Sequence, residues 1–344
     1  MRERLSVGIA GASGYTGAEL LRLCATHPRF DVKAATGDSR AGTRAKDVYP
    51  SLAAAYPDLT FGPLDLAAFD GLDLVFLALP HGRSQELVPD LRKRVGTVVD
   101  LAADFRLKDA ALYPRWYGEE HTAPELLAEA AYGIPELFRD GLAGATLVAA
   151  AGCYVTSAAL ALAPLVKAGM VEPGGIVVDA ASGVSGAGKA LKATTQFGAA
   201  NEDFTAYGLL DHRHTPEIEQ AIGTGDGTVL FTPHLAPMTR GLLATCYARQ
   251  ATTTTNADPL GVLRDHYASE PFVVVTDASP STKATAGSNT AHVTARYDER
   301  TGWVIAICAL DNLVKGASGQ AVQCANVALG IDETAGLPTV GLYP

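Results

Sequence analysis

No stretch of this chain approaches the roughly 18 apolar residues that a membrane-spanning helix needs. Its opening, MRERLSVGIAGASGYTG, has no apolar core of the kind a secretory signal carries. Cysteine is scarce: Cys24, Cys153, Cys246, Cys308 and Cys324 are odd in number, widely spaced and never in a C-x-x-C pair. That excludes a disulfide framework and a zinc site and fits a reducing cytoplasm. Positive charge is short as well, 27 Lys and Arg against 37 Asp and Glu for a net charge of −10. Nucleic acid and anionic membrane are thereby excluded as main partners, while a local basic pocket for phosphates is still allowed. There is no repeat, low-complexity tract or linker. What is present, 48% hydrophobic residues over 344, suffices for two closely packed domains.

The first half alternates. LSVGIA (5–10) reads as a buried strand and TGAELLRLCATHP (16–28) as an amphipathic helix stopped by Pro28. FDVKAAT is a second strand, FDGLDLVFLALP a third, a helix begins near Ser84, and GTVVDLA is strand again. This spacing predicts βαβ units on a parallel sheet. From about residue 151 the texture turns β-rich, with NTAHVTARYDERTGWVIAIC reading as a hairpin that turns at Asp298 to Gly302. The expected fold is an α/β Rossmann-type dinucleotide-binding domain plus an α+β domain with a mainly antiparallel sheet. KGASGQAVQCANVALG (315–330) reads as a closing helix of small residues.

Gly11, Gly14 and Gly17 make a G-x-x-G-x-x-G loop between the first strand and helix. Glycines there let backbone approach a pyrophosphate, and the helix start offers N–H groups to it. Gly11, Ser13, Gly14, Tyr15, Thr16 and Gly17 are therefore expected to hold a dinucleotide. After the second strand comes ATGDSRAG: Asp38 would suit a ribose of NAD, whereas Ser39 and Arg40 would suit the 2′-phosphate of NADP, and we read NADP(H). Gly183 to Lys189 in SGVSGAGKA nearly spells a triphosphate-binding loop, the mark of a kinase. However, Ala190 stands where Ser or Thr should ligate Mg²⁺, and the loop lies inside the β-rich part.

One cysteine stands apart. In AAGCYVTSAALALAPLV, Cys153 follows a glycine and opens a helix, whereas the other four lie inside helix or strand patterns. The positive end of the helix dipole lowers a thiol pKa by at most about one and a half units, so a charged neighbour is needed to hold most of it ionised. YGLLDHRHTPEI supplies His212 and His214. Two residues apart, they suggest a strand with both on one face; without a third ligand, no metal is expected. A thiol nucleophile, a histidine and a nicotinamide cofactor together describe reduction of an activated acyl group through a thioester.

The motifs GASGYTGAEL, LALPHG, DLAADFRL, AYGIPEL, GCYVT, SGVSGAGK, HRHTPEI, PHLAPMTRG and DNLVKGASGQAVQ, in this order, resemble the N-acetyl-γ-glutamyl-phosphate reductases of arginine biosynthesis. These are relatives of the aspartate-semialdehyde dehydrogenases. One departure is Val155, where such enzymes usually carry proline after Gly-Cys-Tyr. The resemblance implies NADPH-dependent reduction of N-acetyl-γ-glutamyl phosphate to the semialdehyde. Cys153 would be the nucleophile and His212 the acid/base. Arg106, Arg240 and His214 would bind the acyl phosphate, and Ser182, Gly183, Gly186, Asn312 and Lys315 would touch the cofactor. It also implies residues 1–150 plus 315–344 as the NADP-binding domain, 151–314 as a catalytic and oligomerisation domain, and a homodimer or homotetramer. Rival readings are a lysine-pathway reductase of a carrier-linked aminoadipate phosphate and a non-catalytic NADP-sensing protein.

Overall fold

In the computed structural model, which describes residues 4–253 and 258–343, the apolar run LSVGIA forms β1 (Leu5–Ala10). The chain continues through α1 (Tyr15–Thr26), β2 (Phe30–Ala35), α2 (Ala45–Val48), β3 (Leu74–Leu77), α3 (Arg83–Leu91) and β4 (Thr97–Asp100). It then runs through α4 (Leu112–Tyr117), β5 (Ala131–Gly133), α5 (Pro135–Leu142) and β6 (Leu147–Ala150). The strands align in the order β2-β1-β3-β4-β6-β5, and every neighbouring pair is parallel. β3, β4 and β6 are buried at every position, which is why they read as unbroken apolar runs rather than alternating ones.

Residues up to Ala151 form one compact unit together with Ala317–Leu337. The helix Gly319–Ala328 packs on α1, α5, β4, β5 and β6 of that unit. Its small residues permit the close approach, and Oδ1 of buried Asn326 accepts the Nε2–H of His27 (3.0 Å).

Gly152–Gly316 and the residues from Pro338 onward form the other unit. It contains α6 (Cys153–Lys167), β7 (Ile176–Gly183), α7 (Phe197–Ala200), β8 (Thr205–Ala206), α8 (His214–Ile222), β9 (Val229–Ala236) and β10 (Leu242–Arg249). α9 (Pro259–His266), β11 (Val273–Val275), α10 (Thr282–Thr285), β12 (Ala291–Asp298) and β13 (Trp303–Leu310) follow. A π-helical turn, Val314–Ser318, comes next. The sheet order is β11-β12-β13-β10-β7-β9-β8. The hairpin read from the sequence is there, with Asp298 opposite Trp303. The sheet is mixed: four of its six neighbouring pairs are antiparallel, while β7–β9 and β11–β12 are parallel. In both cases a helix-bearing connection carries the chain back to its starting end before the second strand begins. α6, α8 and α9 cover one face of this sheet. Because Ser182 pairs with both Leu242 and Leu235, and Leu310 with both Leu242 and Ala291, β7, β9 and β13 end where β10 and β12 begin. The chemistry-bearing loops gather at that end.

Candidate active site

α6 starts at Gly152, which is extended and gives the helix no side-chain cap, so Cys153 occupies the first helical position. Cys153 is half-buried, while the other four cysteines are buried. Burial pushes Cys24 up to about 12 and raises Cys246 as well, which makes both inert thiols. The backbone before Cys153 is pinned: Gly152 N–H donates to Oε1 of fully buried Glu217 (3.0 Å), and Thr156 N–H donates to Gly152 O (2.8 Å). Val155 is helical and fully buried, so the departure from proline leaves the helix entry intact.

His212 and His214 are not on a strand. His212 precedes α8 and His214 opens it, because the helix sequence HTPEIEQAI takes over at that point. Their rings nevertheless meet edge to face, 4.8 Å apart, and His212 also stands edge to face with Tyr154 (5.7 Å), Tyr207 (5.5 Å) and Phe231 (5.2 Å). Burial in this aromatic box, helped by Arg213 and opposed by Asp211, lowers His212 to about 4. At neutral pH the ring is therefore uncharged, and the charged neighbour expected for the thiolate is not this histidine. Its Nδ1 accepts the His214 N–H (3.2 Å), which leaves the ring proton on Nε2. Tyr154 Oη donates to His234 O (2.9 Å), and Tyr207 Oη donates to Tyr154 Oη (3.2 Å). Burial raises Tyr154 and lifts Tyr207 to about 12, and the Cys153 sulfur adds to both shifts.

Near the same sheet end, three loops interlace. Gly183 N–H donates to Gly241 O (2.8 Å) and Val184 N–H to Met238 O (2.9 Å). A Cβ on Gly183 would lie 2.9 Å from Arg240 N and Met238 O, so only glycine lets these backbones touch. Asn312 Oδ1 accepts Gly241 N–H (2.8 Å), and its Nδ2 donates to Ser185 Oγ (2.9 Å). Ser182 is buried and donates to Gly183 O (3.1 Å), and a Cβ on Gly186 would fall 2.7 Å from Ser182 Oγ. Arg240 stands in this weave, one-third exposed, with Nη1 3.5 Å from buried Asp311 Oδ2. Only a 3-10 turn, Val184–Ala187, follows β7, so the near-triphosphate loop lacks the helix such a loop requires. Lys315 is fully buried with its ammonium 5.8 Å from the centre of the Phe272 ring.

In the first unit the glycine loop is held by backbone contact. Gly11 has φ +80°, and a Cβ there would lie 2.2 Å from Ala78 O; one on Gly17 would lie 2.3 Å from Gly11 O. α1 begins at Gly14 with no side-chain cap and no acidic residue in its first turn. Ser13 Oγ donates to Gly37 O (3.0 Å), Tyr49 Oη donates to Ser13 O (2.8 Å), and Ser318 Oγ donates to Thr16 O (2.9 Å). Asp38, at φ 42°, turns the chain after β2 so that Ser39 and Arg40 are exposed. Buried Arg106 is tied to backbone: Nε donates to Ala150 O (2.9 Å) and Nη2 to Leu101 O (2.7 Å), clamping the ends of β4 and β6. Beside it, His81 Nδ1 lies 2.6 Å from Asp104 Oδ1 and its Nε2 3.2 Å from Glu119. Burial and the Asp104 charge push the Asp100 carboxyl up to about 7.

The semialdehyde dehydrogenase NAD-binding domain family matches residues 6–145, and the semialdehyde dehydrogenase dimerisation domain family matches residues 153–312. The N-acetyl-gamma-glutamyl-phosphate reductase of Desulforudis audaxviator is 49% identical over 99% of this chain and 100% of its own length. That of Symbiobacterium thermophilum is 47% identical over 99% of both. The chain belongs to the N-acetyl-gamma-glutamyl-phosphate reductase family. Aspartate semialdehyde dehydrogenase II of Vibrio cholerae, solved with ASA, shares the fold at TM-score 0.71 and 15% identity, covering 95% of this chain and 99% of that one. The Candida albicans enzyme, solved with NADP, does so at TM-score 0.64 and 15% identity over 94% and 98%.

For a reductase of this family, sequence reasoning overlooked Glu217, Tyr207, Phe231 and Asp311. Glu217 and Asp311 stand inside or beside the motifs HRHTPEI and DNLVKG, and burying a carboxylate is costly enough to have marked them. Tyr207 and Phe231 carried no signal, since an aromatic in a β-rich stretch reads as ordinary core.

Proposed function

We propose that the chain catalyses NADPH-dependent reduction of N-acetyl-γ-glutamyl phosphate to N-acetylglutamate semialdehyde and phosphate, a step of arginine biosynthesis, through a thioester on Cys153. The observation that carries this reading is the half-buried thiol at an uncapped helix start, in a unit whose neutral His212 and cationic Arg240 stand at the same sheet end. The glycine loop fits a dinucleotide. α1 presents uncapped N–H groups free of acidic residues, and nothing but Gly11 O, at 3.5 Å, approaches where a Gly14 Cβ would be. Gly11, Ser13, Gly14, Tyr15, Thr16 and Gly17 would hold the pyrophosphate, and Ser39 and Arg40 the 2′-phosphate. A reduced nicotinamide bound there supplies a hydride.

The residues of this chain do the rest. The positive end of α6 favours an anionic sulfur at Cys153. The sulfur attacks the acyl carbon, the carbon–oxygen bond to phosphate breaks, and the departing phosphate takes up one proton. Arg240 holds the phosphate or carboxylate with its planar fork of donors. His212, neutral and protonated at Nε2, donates to the carbonyl oxygen as charge builds on it, a role that needs no charged imidazole. The reduced carbon then releases the Cys153 thiolate and the aldehyde. His214 fixes the His212 tautomer through its N–H and completes the substrate side.

The reading extends to assembly and compartment. The sheet face left uncovered by α6, α8 and α9 carries Leu230, Leu243, Tyr247, Ile305 and Ile307, which suits a second copy of the chain. Half-buried Cys153 suits a reducing compartment, and no helix among the described residues is long and apolar enough to cross a membrane. The test is the reverse reaction: purified protein, N-acetylglutamate semialdehyde, phosphate and NADP⁺, following the absorbance of reduced cofactor. No turnover with this aldehyde, or turnover only with a carrier-linked aminoadipate semialdehyde, removes the arginine-pathway reading. Sedimentation as a monomer removes the assembly.

A further inference from the structure

Asp311 is fully buried, and its carboxylate is shared among three elements. Oδ1 accepts the N–H groups of Leu313 (2.8 Å) and Val314 (3.1 Å), and Oδ2 accepts Gly287 N–H (2.7 Å). The same Oδ2 faces Arg240 Nη1 at 3.5 Å. Asp311 also closes the turn that follows, since its own carbonyl accepts Gly316 N–H (2.9 Å), five residues on. That bond makes the turn π-helical, a rare geometry that is frequent at functional sites. The consequence is close approach to the nucleophile: a Cβ on Gly316 would lie 2.8 Å from Cys153 Cβ. A carboxylate taken out of water needs such partners to persist. Here they include the guanidinium on one side and, on the other, the N–H groups that open the turn lying against Cys153.

We infer that Asp311 is a positioning residue: it aims Arg240 at the anionic end of the acyl phosphate and, through the turn it anchors, fixes the backbone wall against Cys153. The inference rests on the functional reading above only for what Arg240 grips. At 3.5 Å the pair is longer than a full hydrogen bond, so the Asp311 carboxylate orients the guanidinium mainly by charge. The guanidinium is thereby ordered before substrate arrives, which spares the substrate that ordering cost.

The test is a double-mutant cycle with Asp311→Asn and Arg240→Lys, read on the reverse reaction with inorganic phosphate as the varied substrate. Asp311→Asn should raise the phosphate KM about tenfold, the scale of one charge-assisted contact, while kcat falls less than threefold. In the Arg240→Lys background the same change should add less than twofold to KM. A full tenfold penalty in both backgrounds, or an unchanged KM in the single variant, overturns the inference. Should Asp311→Asn not fold, the wild type carries the test by nitrogen-15 spectroscopy of the arginine side chains. Arg240 should give separate Nη signals from a guanidinium whose rotation is hindered without any ligand; one averaged signal overturns the proposal. Absence of turnover in the wild type removes the functional reading, and the Arg240 signal then decides the positioning role by itself.

Discussion

The two units build their sites from different material. In the first, the cradle is backbone: Gly11 and Gly17 are where they are because any Cβ would strike a carbonyl oxygen, and α1 begins bare. In the second, the site is made of side chains brought from far along the chain. Gly152 meets Glu217 across 65 residues, Tyr154 meets His234 across 80, and Asn312 meets Ser185 across 127. The contrast matches the two tasks. A pyrophosphate can be held by N–H groups that every residue owns, whereas acyl transfer needs a thiol, a neutral imidazole and a guanidinium that only particular residues supply.

Substitutions should therefore separate cleanly by unit. Cys153→Ala should abolish turnover and leave the NADPH dissociation constant unchanged in a fluorescence titration; loss of cofactor binding would show that the two sites are not independent. His212→Asn should lower kcat by roughly 10²–10⁴, the scale of one acid/base or oxyanion-stabilising group. Gly11→Val should cost about 2–6 kcal/mol through strain at positive φ and overpacking against Ala78. Its readout is a lowered Tm with weakened NADPH binding, whereas a variant of full stability and affinity would mean the cradle is not limited by backbone contact.

The pH profile sharpens the same comparison. His212 is held low, near 4, so its neutral form is fully present at pH 6.5 and is lost only as pH falls through about 4. The acid limb of kcat/KM should therefore lie near 4 in a protein that stays folded there. A limb near 6.5 that disappears in His212→Asn would mean the ring is not desolvated. The smallest effect is on cofactor choice: Arg40→Ala should raise the NADPH KM about tenfold, the scale of one charge-assisted hydrogen bond, with the NADH KM within twofold. Equal shifts for both cofactors would remove Arg40 from the 2′-phosphate.

Legibility in the sequence follows the same divide. β1, α1, β2, α3 and β4 were readable because local periodicity and glycine spacing are properties of adjacent residues. So was Cys153, as the one thiol opening a helix. The state of His212 was not readable, because its aromatic box comes from β9, α6 and the loop before α8, and only the fold brings Phe231, Tyr154 and Tyr207 to one ring. Arg106 reads as a ligand-gripping residue, and in the fold its Nε and Nη2 donate to two carbonyls at strand ends. An arginine in a motif carries no mark that distinguishes binding a substrate from binding backbone. The parallel pairs in the second sheet were missed because strand direction depends on where the connections travel.

The helix Gly319–Ala328 lies almost wholly buried against α1, α5 and the sheet of the unit formed by the first 151 residues. Translation, though, runs in one direction. The closing helix of the unit begun first on the ribosome emerges only after nearly all of the second unit has been made. The nascent first unit must wait with an apolar helix-docking surface open, and a chain cut short before residue 317 holds every residue named for the dinucleotide cradle yet lacks the piece that covers this surface. A product truncated there is thus left uncovered in the very unit that was synthesised first.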